Sequence, residues 1–104
     1  MKKNADITFR DNTFFIVGDL DFSNVMSVYE KSLLSLDQVP ELEFDFSQLA
    51  SSDSSGLALL IEWVKFAKKH HKPIRFTSLS DDIKSIGRAA GLDQLLFAKQ
   101  TESY

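Results

Sequence analysis

A strand that leads into a cluster of small hydroxyl residues and then into a long apolar helix constrains the fold of this chain more than any other feature. The stretch runs from Glu41 to Lys69 and reads ELEFDFSQLASSDSSGLALLIEWVKFAKK. Its strand, Glu41 to Phe46, alternates acidic and apolar residues, which predicts one buried face and one wet face. Because a doubly wound sheet would have central strands that are apolar throughout, we predict an α/β fold with helices mainly on one side of the sheet.

Length and composition predict a single small domain spanning residues 1–104, with an ordered core of about residues 6–98. The chain has no cysteine, which excludes disulfides, zinc–thiolate sites and a cysteine nucleophile. A net charge of −3 argues against a nucleic-acid partner. Neither a secretory signal nor an apolar run of roughly 18–20 residues is present, so we expect a cytoplasmic domain.

Hydrophobic periodicity and turn residues place the remaining elements. A hairpin is predicted from strands at residues 7–10 and 13–17, followed by a loop at residues 18–21. Ser23 or Asn24 caps the first helix, and Ser80 caps the last one, which ends at Gly91. A further strand is expected at residues 73–77, and a short strand or helix at residues 92–97. The two strand–helix–strand connections predict parallel neighbouring strands in a mixed sheet of four to five strands.

The apolar positions of these helices predict their core faces. In the first helix they are Val25, Val28, Tyr29, Leu33 and Leu36, and in the last they are Ile83, Ile86 and Ala90. In the helix after the hydroxyl cluster they are Leu57, Leu60, Ile61, Val64 and Ala67. That helix carries a second apolar line, Leu59, Trp63 and Phe66. This line is interpreted in two ways, as packing against other helices or as an exposed aromatic surface for a partner.

The hydroxyl cluster itself also has two compatible interpretations. Asp53 and Ser54 are favoured helix-capping residues, and a capping position leaves the Ser54 hydroxyl reachable by a kinase. A helix start offers backbone N–H groups and a positive dipole end, so it would tolerate a phosphate on Ser54. Gly56 would allow a close approach of neighbouring chain. No catalytic motif is present, and the adjacent His70 and His71 lack a third ligand, so we predict no enzyme, metal site or cofactor.

The chain resembles the STAS domain family, which comprises sulfate-transporter and anti-sigma-factor-antagonist domains. The resemblance rests on the run from Phe44 to Ser47, on Asp53-Ser54-Ser55-Gly56-Leu57-Ala58-Leu59-Leu60, and on the ending Ala90-Gly91-Leu92 with Leu96-Phe97. It covers nearly the whole chain. The family fold is a right-handed β/α superhelix with helices mostly on one face of the sheet, in agreement with the alternation described above.

Within this family the sequence is most similar to the STAS subunit of the Mla phospholipid ABC transporter. The similar features are Gly18-Asp19-Leu20, the pair Tyr29-Glu30, and the Gly-Leu-Ala-Leu-Leu and Ala-Lys-Lys segments. The resemblance implies a non-catalytic subunit that binds the cytoplasmic ATPase and supports outer-membrane lipid asymmetry. It would contact the membrane only through the transporter complex. At the position of Ser54 this subfamily usually has Thr.

The resemblance also leaves a second function open. Stand-alone anti-sigma-factor antagonists carry a phosphorylatable serine directly after the Asp, which here is Ser54, and bind an anti-sigma serine kinase. For either function the expected contact surface is the start of the helix and its flank. The residues predicted for it are Asp53, Ser54, Ser55, Gly56, Leu57, Ala58, Leu59 and Trp63.

Overall fold

A computed structural model describes residues 3–91 and shows five strands and three helices in this part of the chain. In order they are β1 (Asp6–Arg10), β2 (Thr13–Leu20), α1 (Val25–Leu36), β3 (Leu42–Asp45), β4 (Leu49–Ser52), α2 (Ser55–His70), β5 (Ile74–Thr77) and α3 (Asp81–Ala89). The predicted element at residues 92–97 lies outside the described residues, as does the predicted C-terminal limit of the ordered core.

The five strands form one mixed sheet in which β1, β2, β3 and β5 are neighbours in that order. β1 pairs antiparallel with β2 through a two-residue turn, whose Asp11 and Asn12 both have positive φ angles, 52° and 60°. This backbone matches the twist of the two strands. β2 with β3, and β3 with β5, pair in parallel. The predicted hairpin and the predicted parallel crossovers are therefore confirmed.

The sequence interpretation missed β4 and ended β2 too early. β2 continues to Leu20, and its last residues pair in parallel with Leu49–Ser52, a segment for which no strand was predicted. β2 pairs with β3 at Phe14 and Phe15 and with β4 from Gly18 onward. Within the pairing with β4, the register shifts between Gly18 and Asp19. Gly18 has a φ of 84°, and a Cβ there would lie 2.7 Å from the Asn4 carbonyl oxygen. This close approach requires glycine at position 18. From the sequence alone, the same glycine was interpreted as part of a loop.

The core lies between the helices and one face of the sheet, as predicted. Trp63 of α2 stacks on Phe44 of β3 with ring centroids 4.0 Å apart, and Phe44 stacks on Phe14 of β2 at 5.1 Å. Trp63 is fully buried and Leu59 is 2% exposed. The interpretation that this line packs internally is therefore confirmed for these two residues, and the alternative of an exposed aromatic surface is wrong. Phe66 is half-buried and stacks on His70.

The opposite face carries the polar residues of the same strands. Glu43 and Arg75 are opposite each other in the register of β3 and β5, and their side chains form an ion pair. Since both side chains are partly exposed, this pair contributes little stability, about 1 kcal/mol at most.

Two of the predicted core faces need correction. On α1, Leu33 is 39% exposed and Ser32 is buried in its place. On α3, Ala90 lies past the end of the helix and is exposed, whereas Gly87 is buried. In both helices a small residue occupies a buried position, and hydrophobicity alone does not identify such positions. The predicted Ser80 cap is confirmed, because its hydroxyl oxygen accepts a hydrogen bond from the Ile83 N–H at 3.2 Å.

Candidate functional site at the start of α2

The hydroxyl corner, which we define as residues 53–56, connects the end of β4 to the first turn of α2. The Asp53 N–H donates to the Leu20 carbonyl oxygen at 3.2 Å, which continues the pairing of β4 with β2 by one residue. The corner therefore sits at the carboxyl end of two parallel strands. That edge of an open α/β sheet commonly carries the functional residues.

Asp53 organises this corner. Its Oδ1 accepts hydrogen bonds from the Ser55 N–H at 2.8 Å and from the Ser55 hydroxyl, and its Oδ2 accepts one from the Phe22 N–H at 3.3 Å. These bonds tie the first turn of α2 to the loop before α1. The hydrogen bond from the Ser55 hydroxyl, followed by those from the Ser55 and Phe22 N–H groups, holds the pKa of Asp53 below its usual value. The predicted capping role of Asp53 is confirmed.

Ser54 occupies the N-cap position but does not act as a cap through its side chain. Its backbone is already helical, with φ −64° and ψ −15°, and its hydroxyl makes no capping hydrogen bond. The side chain is exposed, so the hydroxyl is accessible from outside as predicted. Because Asp53 satisfies the helix start, the Ser54 hydroxyl is not needed for the fold and is available for another contact.

The helix start offers fewer open donors than the sequence suggested. The Ser55 N–H bonds to the Asp53 side chain, the Gly56 N–H to the Asp53 carbonyl oxygen at 3.1 Å, and the Leu57 N–H to the Ser54 carbonyl oxygen at 3.1 Å. A phosphate on Ser54 would therefore compete with existing hydrogen bonds and would lie beside the Asp53 carboxylate.

The eight residues predicted for the contact surface divide into two groups. Asp53, Ser54 and Ala58 are exposed. The other five are buried, namely Ser55, Gly56, Leu57, Leu59 and Trp63. A Cβ at Gly56 would overlap with the Ser52 hydroxyl of β4, so this glycine serves the close packing of the corner. Leu59 and Trp63 were predicted as surface residues, and this is corrected because both belong to the core.

Two exposed apolar residues beside the corner were missed. Phe22 is 86% exposed and Met26, in the first turn of α1, is 63% exposed. A cleft of about 240 Å³ opens between α1 and α2 and includes Met26 in its wall; it is lined by Val25, Met26, Tyr29, Ala58, Leu59 and Glu62. Phe22 lies between the predicted loop at residues 18–21 and the predicted cap of α1, and Met26 falls outside the predicted apolar face of α1. Their large apolar side chains at positions without a core role are the signal that could have identified them.

Within residues 3–91, no three His, Cys, Asp or Glu side chains group in a way that could hold a metal ion. None of the helices in the described part of the chain is both long enough and apolar enough to cross a membrane.

Comparison with known proteins adds a family and a fold. A family model described as "Mlab, STAS domain" matches residues 4–97. The solved structure of unphosphorylated SpoIIAA, an anti-sigma factor antagonist, matches with a TM-score of 0.61, 19% identity and 81% of each chain covered. Phosphorylated SpoIIAA, described as a Bacillus cell fate determinant, matches with a TM-score of 0.65, 19% identity, and 89% of this chain and 88% of that chain covered. At this identity the two structures establish a shared fold alone. No curated protein matches this sequence.

Proposed function

The chain belongs to the MlaB-type STAS domain family, and on this premise we propose that it is a non-catalytic subunit of a phospholipid ABC transporter of the Mla type. In this role it binds the cytoplasmic ATPase of the transporter and supports its assembly and activity in maintaining outer-membrane lipid asymmetry. The observation that carries the proposal is the exposed Ser54 hydroxyl, which lies in a hydrogen-bonded corner at the position that the family resemblance implies is at the contact.

The hydrogen bonds within the hydroxyl corner support a binding role. Asp53 links the start of α2 to the backbone of Phe22, so the surface around Ser54 is ordered before any partner arrives. A preorganised surface loses little conformational entropy on binding. Binding would favour the arrangement of the ATPase that makes these contacts over arrangements that do not.

The chemistry of the corner supports a non-catalytic role. A serine nucleophile requires a base within hydrogen-bond reach of its hydroxyl. The nearest carboxylate in sequence, Asp53, instead accepts hydrogen bonds from Ser55 and Phe22. The lowered pKa of Asp53 also makes it a weaker base, because a carboxylate that is stabilised in its ionised form binds a proton less readily.

The proposal is tested by the affinity of the purified chain for the purified ATPase subunit, measured by isothermal titration calorimetry. We expect the wild type to bind, and Ser54→Glu to bind at least about tenfold more weakly, since a buried unpaired charge costs more than about 1.4 kcal/mol. The matched control is Ser85→Glu, which places the same charge at an exposed position of α3. Absence of binding by the wild type would overturn the proposal, and equal binding by Ser54→Glu would remove Ser54 from the interface.

The alternative function is an anti-sigma-factor antagonist that is switched by phosphorylation of Ser54. The exposed serine hydroxyl favours it, whereas the occupied N–H groups of the first turn of α2 do not. Incubation with an anti-sigma serine kinase and ATP, followed by mass spectrometry, separates the two functions. Stoichiometric phosphate on Ser54, absent in Ser54→Ala, would support the antagonist, and an unmodified chain would support the transporter subunit.

A further inference from the structure

The exposed apolar residues beside the hydroxyl corner form a second component of its surface. Phe22 and Met26 project into solvent, and the cleft between α1 and α2 lies next to Met26. Exposed apolar side chains around a concave apolar surface are typical of an interaction site. Hydration of such a surface is unfavourable, so its burial against a partner lowers the free energy. In the fold itself these side chains have no core role.

The backbone that carries Phe22 is held in place by a network of hydrogen bonds. The Phe22 N–H donates to Asp53, the Asp21 N–H donates to Oδ1 of Asn24 at 2.9 Å, and Nδ2 of Asn24 donates to the Asp19 carbonyl oxygen at 2.8 Å. Asn24 is buried. An aromatic side chain on an ordered backbone is well suited to anchor a partner, since its contact area comes at a low entropy cost.

The charges around this apolar surface indicate the chemistry of its partner. Two exposed carboxylates flank it, Asp53 at the corner and Glu62 on the cleft wall. Lys65 approaches Glu62 at 3.4 Å, but both side chains are about half-exposed or more, so this pair does not neutralise the carboxylate strongly. The net charge of the chain is −3. An apolar centre with an acidic rim is complementary to an apolar side chain flanked by Lys or Arg.

We propose that the ATPase inserts an apolar side chain into the cleft between α1 and α2, packs it against Phe22 and Met26, and places a basic residue near Glu62 and Asp53. This inference rests on the proposed function and names the partner chemistry at that site. Trp63 was the aromatic contact residue predicted from the sequence, but it is buried, so the aromatic anchor proposed for the interface is the exposed Phe22.

Variants of exposed residues test the apolar contact in the calorimetric assay described above. Phe22→Ser and Met26→Glu should each weaken ATPase binding about tenfold or more, as expected for residues at the centre of an interface. Leu34→Glu is the matched control, because Leu34 is 74% exposed on the same helix and borders a different cleft, next to β1. Its affinity should equal that of the wild type. Circular dichroism spectra and melting curves confirm that each variant is folded.

The charge component is tested with Glu62→Gln and with the control Glu41→Gln, which removes an exposed carboxylate at the opposite end of the sheet. Glu62→Gln should weaken binding about threefold at low salt, and the difference should shrink as NaCl screens the exposed charges. Glu41→Gln should bind as the wild type does. Equal affinities for both variants would overturn the basic-partner part of the inference.

The methyl group of Met26 reports direct contact without a substitution. It is one of two methionines, the other being Met1, so its NMR signal in methyl-labelled protein is readily assigned with a Met26→Leu sample. Adding the ATPase should shift this signal. A shift on concentrating the chain alone would assign the cleft to a second copy, and a shift with phosphatidylethanolamine–phosphatidylglycerol vesicles would assign it to lipid. Either result would overturn the inference.

The inference and the proposed function fail in distinguishable ways. If the wild type binds the ATPase but Phe22→Ser and Met26→Glu bind equally well, the proposed function stands and the cleft is not the anchor. If the wild type does not bind, the proposed function fails and the inference fails with it.

Discussion

The indole Nε1 of Trp63 donates a 3.0 Å hydrogen bond to the hydroxyl oxygen of Ser32, which joins α2 to α1 inside the core. Both side chains are at most 1% exposed. The Ser32 hydroxyl in turn donates to the Tyr29 carbonyl oxygen at 2.6 Å. A buried tryptophan N–H without a partner would be costly, so this serine makes the internal position of Trp63 possible.

Removal of this hydrogen bond should destabilise the fold. Ser32→Ala leaves the buried Trp63 N–H without its acceptor, and we expect the free energy of unfolding to fall by about 1–2 kcal/mol. Urea denaturation followed by tryptophan fluorescence measures it directly, because Trp63 is the single tryptophan. Ser27→Ala is the control, as Ser27 is exposed on the same helix and should change stability by no more than about 0.5 kcal/mol. Equal stabilities of the two variants would contradict the prediction.

The close packing of the hydroxyl corner predicts a coupling between Gly56 and Ser52. Gly56→Ala places a methyl group where the Ser52 hydroxyl lies, and we expect a loss of about 1–2 kcal/mol despite the better helix propensity of alanine. In Gly56→Ala combined with Ser52→Ala, the nearest remaining atom is the Leu20 Cδ2 at 3.4 Å, an ordinary contact. The double variant should therefore recover stability in a double-mutant cycle of urea denaturation. Additive losses would show that the hydroxyl is not the obstacle.

Lys72, which follows α2 in the chain, caps the carboxyl end of α1 with its side-chain ammonium group. Its Nζ donates to the carbonyl oxygens of Leu36 and Val39, at 2.8 and 2.7 Å. Lys72→Met keeps the aliphatic stem but leaves these acceptors without the ammonium group, and should cost about 2 kcal/mol in thermal or urea unfolding. The control is Lys69→Met at an exposed position of α2, for which a change below about 0.5 kcal/mol is expected. A similar loss in both variants would point to net charge as the cause.

The hydrogen bonds to Asp53 predict a measurable titration. Its pKa in the folded protein should lie below the ordinary value of 3.8, chiefly because the Ser55 hydroxyl donates to the carboxylate. A carboxylate whose pKa is lower in the folded state than in the unfolded state stabilises the fold at pH values above its unfolded-state pKa. This stabilisation is lost as the pH falls through the folded-state pKa. Carboxyl-carbon NMR should give a midpoint below 3.8 in the wild type and a higher midpoint in Ser55→Ala. Identical midpoints would contradict the assigned cause.

Local pattern was sufficient for the elements whose burial alternates in the sequence itself. The alternation in β3 and β5 identified one buried and one solvent-exposed face, and the solvent-exposed face carries the ion pair of Glu43 with Arg75. Ser80 followed by Asp81 and Asp82 identified the start of α3. These features depend on residues that are neighbours along the chain, so a single sequence contains the information for them.

For the hydroxyl corner, residue types predicted the place but not the division of roles. Asp and Ser were both candidate caps, and only the structure shows that Asp53 takes the hydrogen bonds and leaves the Ser54 hydroxyl exposed. The donors at the start of α2 were expected to be open and are instead used within the corner. Which oxygen reaches which N–H depends on backbone geometry over the whole loop, which residue preference does not specify.

The sequence by itself determined the fold class, the order of the main elements and the position of the hydroxyl corner, because periodicity and capping act between residues close along the chain. The family followed from the resemblance of its motifs, which are also local runs of sequence. The tertiary structure alone decided that β2 extends to pair with β4, that Trp63 is internal, and that Phe22 and Met26 are the exposed apolar residues beside Ser54. The physical reason is that burial on a helix with two apolar lines depends on what packs against each line. The polar partner of Trp63, Ser32, is 31 residues away and comes into contact only when α1 and α2 pack on the same face of the sheet.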